Sequence, residues 1–144
     1  MLAPDIVSHY YARNSFIKLI TMYSQYGYFK SLSAVKIGKI LGIRQMVPAL
    51  FISTLMILIL GSIFFKPLIW LFLFEISLYL AANVLFSLKI ALKENLILLP
   101  LLVWSFILIH FTFGFNYLRG IFDFWLLKKH LHVRHKIADL PLTR

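Results

Sequence analysis

The chain has 144 residues, of which 61% are hydrophobic and only 14% are charged. A soluble domain of this size cannot bury so much apolar surface, so the composition predicts an all-α membrane protein whose side chains contact lipid. The absence of cysteine excludes disulfide frameworks, thiol catalysis and cysteine metal sites. The net charge of +10 is typical of cytoplasmic loops and of contact with anionic lipid, and the apolar bulk argues against nucleic acid as a partner.

The N-terminal part of the chain is polar enough to stay out of the membrane core. Residues 1–13 are predicted to be an extended lead-in, because Pro4 disfavours helix just before it. Residues 14–45 are predicted to form an interfacial amphipathic helix region, since Phe16, Leu19, Ile20 and Tyr23 recur at helical spacing between lysines. A basic, tyrosine-rich helix of this kind is typical of the headgroup plane.

Residues 46–118 contain three apolar runs, predicted as transmembrane helices at about 46–65, 68–90 and 96–118, each long enough to cross a bilayer. The polar residues Glu75, Asn83 and His110 lie inside these runs, where ionisable groups are costly and mark either function or interhelical bonding. Glu75 and His110 have similar predicted depths. We therefore expect their side chains to face each other across antiparallel neighbouring helices.

Charge predicts the orientation. Six Lys or Arg residues precede the first run and two lie in the loop before the third, which places the N-terminal region in the cytoplasm. The basic tail at 119–144 carries six more cations and conflicts with three full crossings. Two alternatives follow: the third run crosses fully and the tail is external, or it is re-entrant or returns to the cytoplasmic side.

Several short segments occur in a distinctive order. They are Tyr11-x-Arg13-x-Ser15, the Tyr26-Gly27 pair, a basic turn at 42–48 and an aromatic-glycine segment at 110–120. Residues 6–125 in this order resemble the C-terminal membrane region of family 2 glycosyltransferases of the succinoglycan-biosynthesis type. The resemblance implies a bacterial inner-membrane protein that anchors a separate GT-A catalytic domain for polysaccharide or glycolipid assembly. It also implies contact with membrane lipid and with a polyprenyl phosphate carrier.

The chain lacks the chemistry of such a catalytic domain. Its five acids are Asp5, Glu75, Glu94, Asp123 and Asp139, and no two are within a few residues of each other. No local motif can hold a divalent ion on a sugar diphosphate, and no glycine-rich phosphate loop is present. We therefore predict no catalytic residue, no metal site and no cofactor in this chain; a divalent metal is expected only in the missing catalytic domain.

The histidines of the tail do not change that expectation. They form His130-x-His132-x-x-His135, a spacing that could ligate zinc on a strand, but lysines and arginines surround them and would repel a dication.

The candidate lipid- or acceptor-binding residues lie before the first run. Arg and Lys suit phosphate oxygens, and tyrosine can stack on a sugar, although headgroup binding and an interfacial aromatic belt explain the same residues. The candidates are Arg13, Lys18, Gln25, Tyr26, Lys30 and Arg44. Two other functions stay open: a small non-enzymatic membrane subunit that recruits or stabilises a partner, and a membrane-active protein of the holin kind.

Overall fold

The computed structural model describes residues 15–38 and 43–128. Within these ranges the chain forms four α-helices and no strand: α1 (Phe16–Ile37), α2 (Ile43–Phe64), α3 (Leu68–Ala91) and α4 (Leu99–Ile121). In this part of the chain three stretches are long and apolar enough to cross a membrane: Gln45–Phe64, Leu68–Ala91 and Leu96–Leu126. The prediction of an all-α membrane protein is confirmed. The lead-in at 1–13 and the three tail histidines lie outside the described residues.

Local sequence explains where the helices begin and end. α1 ends at Gly38, whose φ of 66° is left-handed and favours glycine. Pro67 precedes α3 with a φ of −57°, which is already helical. The Asn95 side chain accepts a hydrogen bond from the backbone N–H of Ile97 and so begins a short 3₁₀ turn before α4. Pro100 lies in the first turn of α4, where its missing N–H has no helical partner to lose.

α2 and α3 form an antiparallel hairpin. The rings of Phe51 and Tyr79 stack with their centroids 4.5 Å apart, and the Thr54 hydroxyl contacts the Glu75 carboxyl group. Both pairs fit the same antiparallel register of α2 and α3. This register places Pro48 of α2 at nearly the same level along the hairpin as Asn83 of α3.

α4 crosses this hairpin obliquely. The side-chain amide of Asn83 donates to the carbonyl oxygen of Val103 at 3.2 Å, and Gly114 lies directly against the carbonyl oxygen of Pro48. Val103 and Gly114 are about 16 Å apart along the axis of α4. Because their contacts on the hairpin are nearly level, α4 runs across the two helices and not alongside them.

α1 packs along α4 and runs in the same direction. Ser24 contacts Asn116, and further along Ser31 lies against Gly120. Between them a methyl group built on Gly27 would lie 2.5 Å from the carbonyl oxygen of Phe113. Small residues at this interface let the two backbones approach closely, as in membrane helix pairs.

The helix that begins with α4 continues past the predicted boundary at residue 118. A π-helical turn at Phe122–Leu126 follows α4 directly and carries the apolar stretch to Leu126. The side chain of Asp123 in this turn is buried at 6% exposure, and it is held against α1 by a hydrogen bond from Tyr28. Residues 119–126, which the charge distribution assigns to the basic tail, therefore belong to the folded structure.

Candidate functional site

An apolar cleft lies between the α1–α4 pair and the α2–α3 hairpin. Its volume of about 710 Å³ is within the range of small-molecule sites, roughly 300–1,000 Å³. It is open on one side. All four helices contribute to its lining: Ile20 and Ser24 of α1, Ile52, Leu55, Met56 and Ile59 of α2, Phe72 and Ile76 of α3, and Phe111, Thr112, Phe115 and Asn116 of α4.

Three polar residues lie among the apolar residues that line the cleft, and we call Ser24, Thr112 and Asn116 the polar ledge. The Asn116 amide nitrogen donates to the Ser24 hydroxyl at 3.1 Å and to the Thr112 carbonyl oxygen at 2.8 Å. Both bonds use the amide donors of Asn116. Its side-chain carbonyl oxygen accepts no hydrogen bond from the described residues. An apolar wall beside a few convergent polar groups suits an amphipathic molecule.

A second polar cluster joins α3 to α4 away from the cleft. Asn83 is buried, bonds to Val103 of α4 and accepts a hydrogen bond from the Ser87 hydroxyl at 3.2 Å. The Tyr79 hydroxyl is also buried, and among the described residues it has no hydrogen-bond partner of good geometry. Asn83 thus connects two helices, which is the structural role that intramembrane polar residues commonly have.

The structure does not pair Glu75 with His110. Glu75 accepts its hydrogen bond from Thr54 of α2. The Nδ1 atom of His110 lies 2.8 Å from the carbonyl oxygen of Phe106, and its ring meets the Tyr79 ring edge-on at 5.8 Å. α3 and α4 do pack together, as the short loop predicts. The oblique crossing of α4, however, brings His110 to Tyr79, one helical turn from Glu75.

The candidate residues of α1 lie apart from the cleft. Lys18, Gln25 and Tyr26 are exposed, and Lys30 is partly exposed. The cleft is lined by a different side of α1, which carries Ile20 and Ser24. Arg13 lies outside the described residues, and so does the side chain of Arg44.

The polar ledge was missed by sequence reasoning. Thr112 and Asn116 are four residues apart in an apolar run, so a helix places them one turn apart on one face. That spacing is a usable signal. Ser24 could not be added to it from the sequence, because nothing there indicates that α1 packs on α4.

A charged cluster lies where α1 meets the end of α4. The Tyr28 hydroxyl donates to the Asp123 carboxylate at 2.9 Å, and the Arg119 guanidinium lies 5.9 Å from the centre of the Tyr28 ring. Burial raises the pKa of Tyr28 above its usual value of 10.0, the Asp123 hydrogen bond and charge raise it further, and Arg119 opposes them. The phenol therefore stays protonated near neutral pH and continues to donate to Asp123.

The cleft with its polar ledge combines apolar walls with a few polar groups. Comparison of the chain with protein-family models, with curated proteins and with solved structures finds no match. The proposed function therefore rests on the residues of this chain.

Proposed function

We propose that this chain is the membrane-anchoring, lipid-acceptor-side region of a glycosyltransferase for bacterial polysaccharide or glycolipid assembly. In this proposal it resides in the bacterial inner membrane with its N-terminal region in the cytoplasm, and a separate GT-A domain supplies the chemistry. The sequence resemblance motivates the family. The observation that carries a lipid-binding role is the apolar cleft with its polar ledge.

The cleft suits the chain of a lipid-linked acceptor such as a polyprenyl phosphate. Met56, Ile59 and Phe72 offer apolar contacts to the hydrocarbon, and burying it there is favourable by about 0.8 kcal/mol for each CH₂ group removed from water. In a bilayer this gain is smaller, because membrane lipid already covers the hydrocarbon of the acceptor. Recognition therefore depends on shape and on the polar ledge. Asn116 can accept a hydrogen bond from a sugar hydroxyl or a protonated phosphate oxygen.

The cations before the first span are proposed to contact phosphate at the membrane surface, apart from the cleft. Lys18 and Lys30 of α1, together with Arg13 and Arg44, are the candidates to attract the phosphate group at the membrane surface. The exposure of Gln25 and Tyr26 supports a face of α1 that contacts headgroups.

A photo-crosslinking experiment tests lipid binding in the cleft. The purified chain in nanodiscs is labelled with a polyprenyl phosphate that carries a diazirine on its hydrocarbon chain. Met56→Trp should fill the cleft and reduce labelling several-fold, because Met56 lines it and is 47% exposed. Leu85→Trp is the matched control, since Leu85 is 66% exposed and does not line the cleft. Equal labelling of the two variants would contradict the proposal.

The proposed division into a membrane anchor and a separate catalytic domain has a test of its own. The chain alone should transfer no sugar from a nucleotide donor to a polyprenyl phosphate acceptor. Addition of a GT-A domain encoded next to it should restore turnover. Turnover by the purified chain without any partner would show that the division into an anchor and a separate catalytic domain is wrong.

A further inference from the structure

The α2–α3 hairpin has a second surface that neither α1 nor α4 covers. At its centre the Thr54 hydroxyl donates to Oε1 of Glu75. Four aliphatic side chains flank this pair, and each is more than half exposed. We call the set the outer face, and it consists of Leu50, Thr54, Ile57, Leu71, Glu75 and Leu78.

The carboxyl group on this face lies deep in the membrane. Thr54 is midway along the apolar stretch Gln45–Phe64, so Glu75 beside it is near the centre of the hydrocarbon. A carboxylate exposed to lipid at this depth is costly, and intramembrane acids are almost always paired.

The described residues do not supply a full set of partners. Thr54 serves one carboxyl oxygen of Glu75, and no described residue donates to the other. The nearest lysine along the hairpin is Lys66, nine positions away and therefore about 13 Å along the helix axis. That separation exceeds the reach of a lysine side chain, so the second oxygen needs a partner from another molecule.

We propose that the outer face binds a second copy of this chain across a two-fold axis, with the two Glu75 carboxyl groups both protonated and hydrogen-bonded to each other. A two-fold contact brings the same residue of both copies together, so the two carboxyl groups meet at equal depth. A protonated carboxyl group donates through its O–H and accepts through its carbonyl oxygen, so the pair is neutral and self-complementary. A foreign helix would have to present a donor at this same depth.

Each copy also contributes the rest of the interface. The Thr54 hydroxyl continues to donate to Oε1 of its own Glu75. The Oε2–H of each copy donates to the partner's Glu75 in the carboxyl-to-carboxyl bond. Leu50, Ile57, Leu71 and Leu78 pack around this bond and exclude lipid from it.

Energy transfer between labelled copies tests the proposal. The chain has no cysteine, so a single Lys66→Cys substitution in the exposed turn carries the dyes. In vesicles of phosphatidylethanolamine and phosphatidylglycerol, transfer between copies should fall as lipid dilutes the protein. Glu75→Leu should weaken association about tenfold, because an intramembrane polar contact contributes about 1–2 kcal/mol. Glu75→Gln should retain association, since an amide both donates and accepts.

Matched controls separate this interface from general effects. Leu73→Ala changes a residue of α3 that is 46% exposed and lies about 200° around the helix from Leu71, away from the outer face, and should associate like the unsubstituted chain. Circular dichroism should show unchanged helix content for every variant. In a chain without the dye site, Leu78→Cys should form a disulfide between copies, whereas Trp104→Cys on α4, a position that is 54% exposed, should not.

Three results would overturn the proposal: a monomer at every protein-to-lipid ratio, association of Glu75→Leu equal to that of the unsubstituted chain, or equal disulfide yield at positions 78 and 104. None of them bears on lipid binding in the cleft.

Discussion

Replacing Gly27 with alanine tests the close packing of α1 on α4. The added methyl carbon would lie 2.5 Å from the Phe113 carbonyl oxygen and 3.1 Å from the Tyr117 nitrogen. Both atoms belong to backbone and cannot rotate away. Ordinary contact begins at 3.4 Å, so α1 must move away from α4 by about 0.9 Å. Over-packing of this kind costs about 1–3 kcal/mol.

A gain in helix propensity opposes that cost. Alanine is favoured over glycine inside a helix by about 1 kcal/mol, so the net loss expected for Gly27→Ala is about 0–2 kcal/mol. Gly61→Ala is the matched control. A methyl group there meets only the Leu68 Cδ1 atom at 2.8 Å, the end of a flexible side chain that can move aside. Gly61→Ala should keep most of the helix gain.

The difference between the two variants isolates the packing cost. Unfolding by sodium dodecyl sulfate in mixed micelles, followed by circular dichroism, measures the free energy of unfolding of each variant. Gly27→Ala should be less stable than Gly61→Ala by about 1–3 kcal/mol. Equal stability of the two variants would show that the backbones of α1 and α4 do not approach each other closely at Gly27.

Three further predictions concern buried polar contacts and use the same unfolding assay. Asn83→Ala should lower stability by about 0.6–1.7 kcal/mol, because it removes the bond to Val103 that links α3 to α4. Ser87→Ala should cost less, since its hydroxyl bonds only within α3, and the reverse order would contradict this reading. Tyr28→Phe should lower stability by about 1–3 kcal/mol by removing a donor from the buried Asp123 carboxylate. Because the pKa of Tyr28 is raised on folding, the Tyr28 contribution is complete below pH 10.0 and is lost as the pH rises through the folded-state pKa. The stabilities of the unsubstituted chain and Tyr28→Phe should therefore converge at alkaline pH, and a constant difference would count against this account.

Composition and hydropathy were sufficient to predict the helical membrane class and the three apolar stretches. Such stretches can be recognised from the sequence, because a backbone in hydrocarbon must satisfy its own hydrogen bonds and a helix does so within one segment. In the structure Pro67 and Asn95 mark helix starts by local effects, since each acts on residues within one turn of itself. The interfacial placement of α1 stays a prediction.

Relations between helices could only be read from the tertiary structure. Gly27, Ser31 and Gly120 make a contact between α1 and α4, which are separated by some ninety residues, and no local pattern marks them as neighbours. The register of the α2–α3 hairpin decided that Glu75 bonds to Thr54, and the oblique path of α4 decided that His110 meets Tyr79. Apolar periodicity shows which segments enter lipid, but lipid is equally favourable to every apolar face. Which faces meet is therefore decided by close packing of small residues and by interhelical hydrogen bonds, which exist only once the helices are assembled.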